Sequence, residues 1–272
     1  MTTDNPLNSN NRYIQENRKA WEEKTTIHIN SEMYNAQGFL NGKNTLHNTE
    51  LKELGDVNDK KIIHLQCHFG LDTLSLARLG AIVTGVDFSS TAIEYARKLS
   101  EKTKINARFI ESDIYDVSVN VNDKYDIVFT SYGAICWISD IRKWAEVVSS
   151  LLKPEGALVL VDFQPMFQYM DFHLSDTKRS YFNRQPITRK WEGTYTDYEN
   201  NIVTIEHNWN HGIGEIFHAL KDNNIYVENF EEYSYLPINW FPGLIEGNDG
   251  LFRTIDSEGM YPLLFSIKAV KK

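Results

Sequence analysis

Residues 61–89 read KIIHLQCHFGLDTLSLARLGAIVTGVDFS, and the alternation inside this stretch decides the fold. KIIHLQ (61–66) is a short apolar run of strand type. LDTLSLARLG (71–80) sets Leu71, Leu74, Ala77 and Leu79 at helical spacing and stops at Gly80, and IVTGVD (82–87) is β-branched and ends in an acid. Strand, turn, helix and second strand make a βαβ unit with parallel strands. Ligands of such sheets sit in the crevice beyond the carboxyl ends of the strands. The turn 66–72 and Asp87, at two neighbouring strand ends, are therefore predicted to share one site.

The pattern continues outward. Ser89 or Ser90 is placed to cap TAIEYARKLSEKTK, whose Ile93, Ala96 and Leu99 form one stripe. ARFI (107–110), YDIVFTS (125–131) and ALVLVDF (157–163) are further strands. Asp140 is placed to cap IRKWAEVVSSLLK, and KPEG (153–156) reads as a turn. Continuously hydrophobic strands alternating with helices predict an α/β, doubly wound, mostly parallel sheet covered on both faces. After Gln164 the regularity breaks. KWEGTYTDYENNIVTIEHNW reads as a β-hairpin around ENN, a helix returns at 213–224, and the strands IYVENFEEYS and PLLFSIKAVK close the chain. The acidic ENFEEY (228–233) reads as a solvated strand face needing no partner. The expected organisation is a polar, disordered tail and N-terminal cap over 1–50, a sheet domain over 51–163 and 212–272, and an inserted, β-rich substrate lid over 164–211.

Composition narrows the function. The 272 residues are 42% hydrophobic, 12% aromatic and 24% charged, with a formal net charge of -9. An acidic balance disfavours a broad phosphate-tracking surface, so nucleic acid is not an expected partner. Two cysteines, Cys67 and Cys136, without ligand spacing, predict neither a disulfide framework nor a structural metal. With no signal-like start and no apolar run of spanning length, a cytoplasmic protein without a membrane partner is expected.

The turn discriminates among cofactors. Dinucleotide turns follow G-x-G-x-x-G because a pyrophosphate needs bare backbone, whereas QCHFGLD keeps only Gly70 and carries side chains at Gln66 and His68. A nucleoside whose tail is an amino acid rather than two phosphates suits this turn better, with Gln66, His68 and Asp72 available to an ammonium and a carboxylate. S-adenosylmethionine fits that description.

On these residues the chain resembles the class I S-adenosylmethionine-dependent methyltransferases, particularly the small-molecule branch with a methyltransferase-11-like core, over roughly residues 60–163. HLQCHFG stands where the family carries an acid, a hydrophobe and G-x-G-x-G, so His64 replaces the acid and Gln66 and His68 replace two glycines. GVDFS (85–89) matches the second motif, which implies Asp87 at the ribose. FIESDIYD (109–116) resembles the third, which implies Asp113 at the adenine amino group and Ile114 at its face. YDIVFTSYGAICWI and LLKPEGALVLVDF match the fourth strand and the turn and strand that follow. The implied fold is a Rossmann-like, seven-stranded sheet with PLLFSIKAVK as an antiparallel last strand.

Cofactor contacts are thus expected from Gln66, His68, Gly70, Asp72, Asp87, Phe88, Ser89, Asp113, Ile114, Ser131 and Tyr132. The expected reaction is methyl transfer to a small, apolar or aromatic acceptor, leaving S-adenosylhomocysteine and needing no metal. Positioning and exclusion of water would supply the catalysis. Tyr34, Tyr132 and Trp137 are candidate walls, and His28, His173 and His211 are candidate bases. The alternatives are a nicotinamide-dependent oxidoreductase and a protein that binds S-adenosylmethionine without catalysis. The acceptor atom (O, N, C or S) and the oligomeric state stay open.

Overall fold

The computed structural model describes residues 6–166, 181–182, 184–254 and 261–272. One sheet is built from β1 (Lys61–Leu65), β2 (Ile82–Asp87), β3 (Arg108–Glu111), β4 (Tyr125–Ser131), β5 (Leu152–Phe163), β8 (Ile225–Tyr233) and β11 (Leu264–Lys271). Their order is β3-β2-β1-β4-β5-β11-β8. The pairs β1–β2, β2–β3, β1–β4 and β4–β5 are parallel. β11 is antiparallel to both neighbours, β5 and β8. Strand order thus reverses beside β1: the chain first builds outward to β3, then returns to lay β4 on the other side. Such a reversal opens a crevice at the strand tips because the two connections leave in opposite directions.

Strand alternation distributes side chains to two cores. Ile63 and Leu65 of β1, Val128 of β4 and Leu158 and Leu160 of β5 pack with Trp144 and Val148 of α7 (Ile141–Leu151) and with Ile216 and Leu220 of α8 (Ile213–Asp222). Ile62, Ile127, Phe129 and Val159, one residue out of phase, face the other way. They meet Leu54 of α3 (Asn48–Leu54) and Leu76 of α4 (Leu71–Arg78). Beside them Ile93, Ala96 and Leu99 of α5 (Ser90–Thr103) pack on Phe69, Leu74 and Phe109. A period of two within continuously apolar strands is what a sheet buried on both faces requires.

The helix starts follow from local chemistry. Ser89 Oγ accepts from Ala92 N, and Asp140 Oδ1 accepts from Arg142 N and Lys143 N, each at 3.1 Å. Three expectations are corrected. Within the stretch expected to hold a disordered tail, α1 (Pro6–His28) already begins at Pro6; proline suits a first helical position because its missing N–H would have no partner there. KPEG is not a free turn but an irregularity within β5: Tyr125 pairs with Leu152 and Ile127 with Ala157, and Glu155 takes a φ of 59° to absorb the extra residues. ENFEEY does have partners. Lys52 donates to Glu231 at 2.6 Å, and Gln164 donates to Glu232.

Outside the main sheet, β6 (Ile187–Glu192) and β7 (Val203–Asn208) form an antiparallel hairpin. α1 lies against β7: the Asn17 side chain donates to His207 O and accepts from His207 N, both at 2.8 Å. α1 is also tied to the main domain, since the Glu22 carboxylate accepts from Ser90 N and Thr91 N at the start of α5. The cap and the hairpin therefore close over the same side of the sheet.

Replacing Asp140 by Ala removes the acceptor for two helix-start N–H groups of α7. Urea unfolding should show a loss of about 1 kcal/mol.

Candidate functional site

Beyond the tips of β1, β2, β3 and β4 lies a cavity of about 730 Å³, roofed by α1, the hairpin and residues 238–242. That volume lies within the range of small-molecule sites. Its floor is the turn between β1 and α4. Gln66, His68 and Gly70 have φ values of 56°, 50° and 79°, so the backbone adopts the left-handed conformation at alternate positions although only one is glycine. Each non-glycine residue there costs on the order of 1–2 kcal/mol, which surrounding contacts must offset. Gln66 Nε2 donates to Ala134 O at 2.9 Å, and His68 N donates to Asp87 Oδ2 at 2.8 Å. Gly70 is required sterically: a Cβ there would lie 2.6 Å from the Phe109 ring.

Asp87 ends β2, and its other oxygen accepts from Ser89 N at 2.9 Å. Burial pushes its carboxyl up to about 6, against the lowering effect of these amides. Asp113 accepts from Tyr115 N and is raised by burial, with Ile114 beside it on the cavity wall. At the tip of β1, His64 is held down to about 3 by burial. It contacts Thr73 Oγ1 at 2.9 Å and Ser131 Oγ at 3.3 Å. The position expected from the resemblance to carry an acid is thus neutral, and the negative groups of the floor are Asp72 and Asp87. Asp72 accepts from Thr45 Oγ1 at 2.6 Å and is also raised to about 6 by burial.

The loop after β4 hangs from a buried carboxylate. Asp162 accepts from the backbone N–H groups of Gly133, Ala134, Ile135 and Phe163, and burial still raises it to about 6. Tyr132, with φ 45°, lines the cavity and donates from its hydroxyl to Glu50 on α3. Glu50 also accepts from His47 N at 2.7 Å. Fully buried, and next to the charge of Asp72, it is pushed up to about 8.

The cap contributes Trp21, which meets His68 and Trp137 edge-on at 5.2 and 5.3 Å, and Tyr34, whose hydroxyl hydrogen-bonds Tyr195 of the insertion. His28 Nδ1 and His68 Nε2 are 3.0 Å apart. Burial holds His28 at about 2, with the charges of His68 and Lys24 acting in the same direction, and burial holds His68 at about 3. Deeper in the same corner Lys24 forms an ion pair with Glu206 of β7.

Of the residues singled out from sequence, Gln66, His68, Gly70, Asp72, Asp87, Phe88, Asp113, Ile114, Ser131, Tyr132, Tyr34 and Trp137 all line this cavity. Ser89 does not: it is buried and spent on the cap of α5. His211 is also elsewhere, its Nε2 bonded to Ile138 O at 2.6 Å near the start of α8. His28 does not line the cavity; it contacts His68, and burial holds it at about 2, which makes it a weak base. His173 lies outside the described residues. Sequence reasoning missed Lys24, Thr45, Glu50, Asp162 and Glu206, polar residues scattered through the chain without motif spacing. Only an acid inside the apolar run ALVLVDF offered a signal, at Asp162. Among the described residues no three His, Cys, Asp or Glu side chains are grouped to hold a metal.

Residues 62–156 match a family model described as a methyltransferase domain. The chain is similar to the ubiquinone biosynthesis O-methyltransferase of Actinobacillus pleuropneumoniae, at 29% identity over 103 residues, 36% of this chain and 44% of that protein. It thus spans less than half the length of that relative. Among solved structures it is similar to an S-adenosylmethionine-dependent methyltransferase from Mesorhizobium loti, with a TM-score of 0.54 and 18% identity over 85% of this chain and 100% of that one. A second such enzyme, from Methanosarcina mazei, gives a TM-score of 0.56 and 20% identity over 83% and 98% of the two chains. At these identities the structural likeness establishes the shared fold.

The raised carboxyls set a pH dependence of stability. Glu50 moves from 4.5 to about 8 on folding, so its stabilising contribution is complete below about pH 4.5 and is lost as pH rises through about 8. Asp72, Asp87 and Asp162, at about 6, have finished titrating by then, and the depressed histidines act in the opposite sense and only below their ordinary 6.5. Between about pH 7 and 8.5 the unfolding free energy should fall by up to about 1.4 kcal/mol per pH unit. Urea midpoints across that window should show the fall in the wild type and a flatter profile in Glu50→Gln; a flat wild-type profile contradicts the assignment.

Proposed function

We propose that the chain is a class I S-adenosylmethionine-dependent methyltransferase and that it transfers the sulfonium methyl group to a small-molecule acceptor by in-line displacement. The observation that carries this reading is the floor of the cavity: a turn left-handed at residues 66, 68 and 70 and fastened to Asp87 through the N–H of residue 68. When bound, S-adenosylmethionine supplies the electrophilic methyl group and a thioether leaving group.

The residues fit such a ligand. Each Asp87 oxygen takes one N–H, which leaves lone pairs for sugar hydroxyls. Gln66 lines the cavity with a buried Oε1 that has no hydrogen-bond partner among the described residues. An ammonium group would satisfy it, with Asp72 nearby to balance the charge. Asp113 and the apolar Ile114 and Phe88 are arranged for a base with polar edges and apolar faces.

Trp21, Trp137 and Tyr132 would hold the acceptor and exclude water, so that positioning and desolvation dominate. Among the described residues, the histidines lining this cavity, His47, His64 and His68, are held by burial at about 4, 3 and 3 and are weak bases. The relative's role in ubiquinone biosynthesis favours a small acceptor over a macromolecule.

Isothermal titration with S-adenosylhomocysteine should show binding, and Asp87→Ala should weaken it at least about tenfold, about 1.4 kcal/mol. Absence of binding at millimolar ligand by folded protein rejects the reading. A metabolite library screened by S-adenosylhomocysteine release then identifies the acceptor.

A further inference from the structure

The corner where α1 meets the hairpin holds chemistry that the cofactor does not use. Lys24 and Glu206 pair there with side-chain exposures of only 4% and 8%, and both line the cavity. Thr204 Oγ1 donates to Glu206 at 2.7 Å and so fixes that carboxylate. The ammonium is ringed by indoles, with Trp21, Trp137 and Trp191 centroids at 5.7, 6.0 and 5.9 Å. Aromatic faces stabilise its charge but accept its N–H groups poorly. An ammonium has three N–H groups, and Glu206 is its one ion-pair partner among the described residues. Trp191 Nε1 adds a buried N–H with no hydrogen-bond partner among them. Arg189, opposite Glu206 in the strand register, brings a guanidinium to the same wall.

The Lys24 ammonium thus has N–H groups beyond the one turned to Glu206, the Trp191 N–H has no partner among the described residues, and buried donors left unmatched are costly. Trp21 contacts both His68 of the floor and Trp137 just beyond β4, so the corner adjoins the zone where an acceptor would meet the methyl group. We propose that Lys24, with the Trp191 indole N–H, binds the carboxylate of a flat aromatic acceptor whose ring lies among Trp21, Trp137 and Trp191. The assignment rests on the methyl-transfer reading above and names the substrate class of that site. It also defines a discrimination. A primary amide of the same shape offers one acceptor oxygen but turns two N–H donors toward donors, so the acid is selected by satisfaction and the amide is rejected by mismatch.

The test uses full-length protein saturated with S-adenosylhomocysteine, titrated calorimetrically with benzoate, salicylate, indole-3-acetate and 2-naphthoate and with the primary amide of each. At least one acid should bind with a Kd below about 1 mM and at least about tenfold more tightly than its amide. If no acid reaches that affinity, or the amides bind as well, the proposal is overturned. Failure of S-adenosylhomocysteine itself to bind would instead overturn the functional reading. The double variant Lys24→Met/Glu206→Gln removes the ammonium without stranding a buried carboxylate. It should lose about tenfold in its preference for acid over amide. Should it fail to bind S-adenosylhomocysteine, Trp191→Phe decides, with an expected loss of about fivefold for the acid alone. An unchanged preference for acid over amide in the deciding variant overturns the assignment.

Discussion

Every chain leaving a parallel sheet abandons backbone N–H groups that must find acceptors. Here two carboxylates at strand ends receive them. Asp87 takes those of His68 and Ser89, and Asp162 takes four between Gly133 and Phe163. Because the acceptors are buried and rigid, the loops that form the cavity floor are held in fixed shapes. That restraint explains how Gln66, His68 and Tyr132 can keep left-handed backbones that glycine would adopt freely. The hydrogen bonds offset the strain and leave the side chains facing the cavity.

Electrostatics divides the cavity. Its floor carries Asp72 and Asp87, raised by burial to about 6 and still ionised near neutrality, beside imidazoles that the same burial keeps neutral. The opposite corner carries Lys24 and Glu206 as a formal pair. A floor of buried carboxylates gains by receiving a cation, since the approaching charge offsets their burial penalty. The corner, where the Trp191 N–H has no partner among the described residues, gains by receiving oxygen. The two requirements are complementary to a cationic cofactor and an oxygen-bearing acceptor placed side by side.

The cap is part of the site rather than an appendage to it. α1 reaches β7 through Asn17 and Lys24, and reaches α5 through Glu22. Two side chains near its end, His28 and Tyr34, join the first turn and the insertion through His68 and Tyr195. Three segments far apart in sequence thus share one aromatic and imidazole cluster above the cavity floor, and movement of one of them would be felt by the others.

The sequence by itself determined the sheet. Periodicity in 61–89 and its continuation set strands, helices and both cores, because a strand buried on two faces and an amphipathic helix each leave a local signature. Motif spacing also brought most floor residues to notice, since the turn and Asp87 are consecutive in one βαβ unit. What the tertiary structure decided are the partnerships between separate segments of the chain: Tyr132 with Glu50, Lys24 with Glu206, Asp162 with the loop after β4. It also placed His28 and His211, whose residue type suggested a base, outside the cavity lining, with His28 against His68 and His211 on Ile138 O. Hydrophobic pattern is encoded locally and repeatedly, whereas the protonation and partners of a polar side chain depend on neighbours that only the folded chain brings within reach.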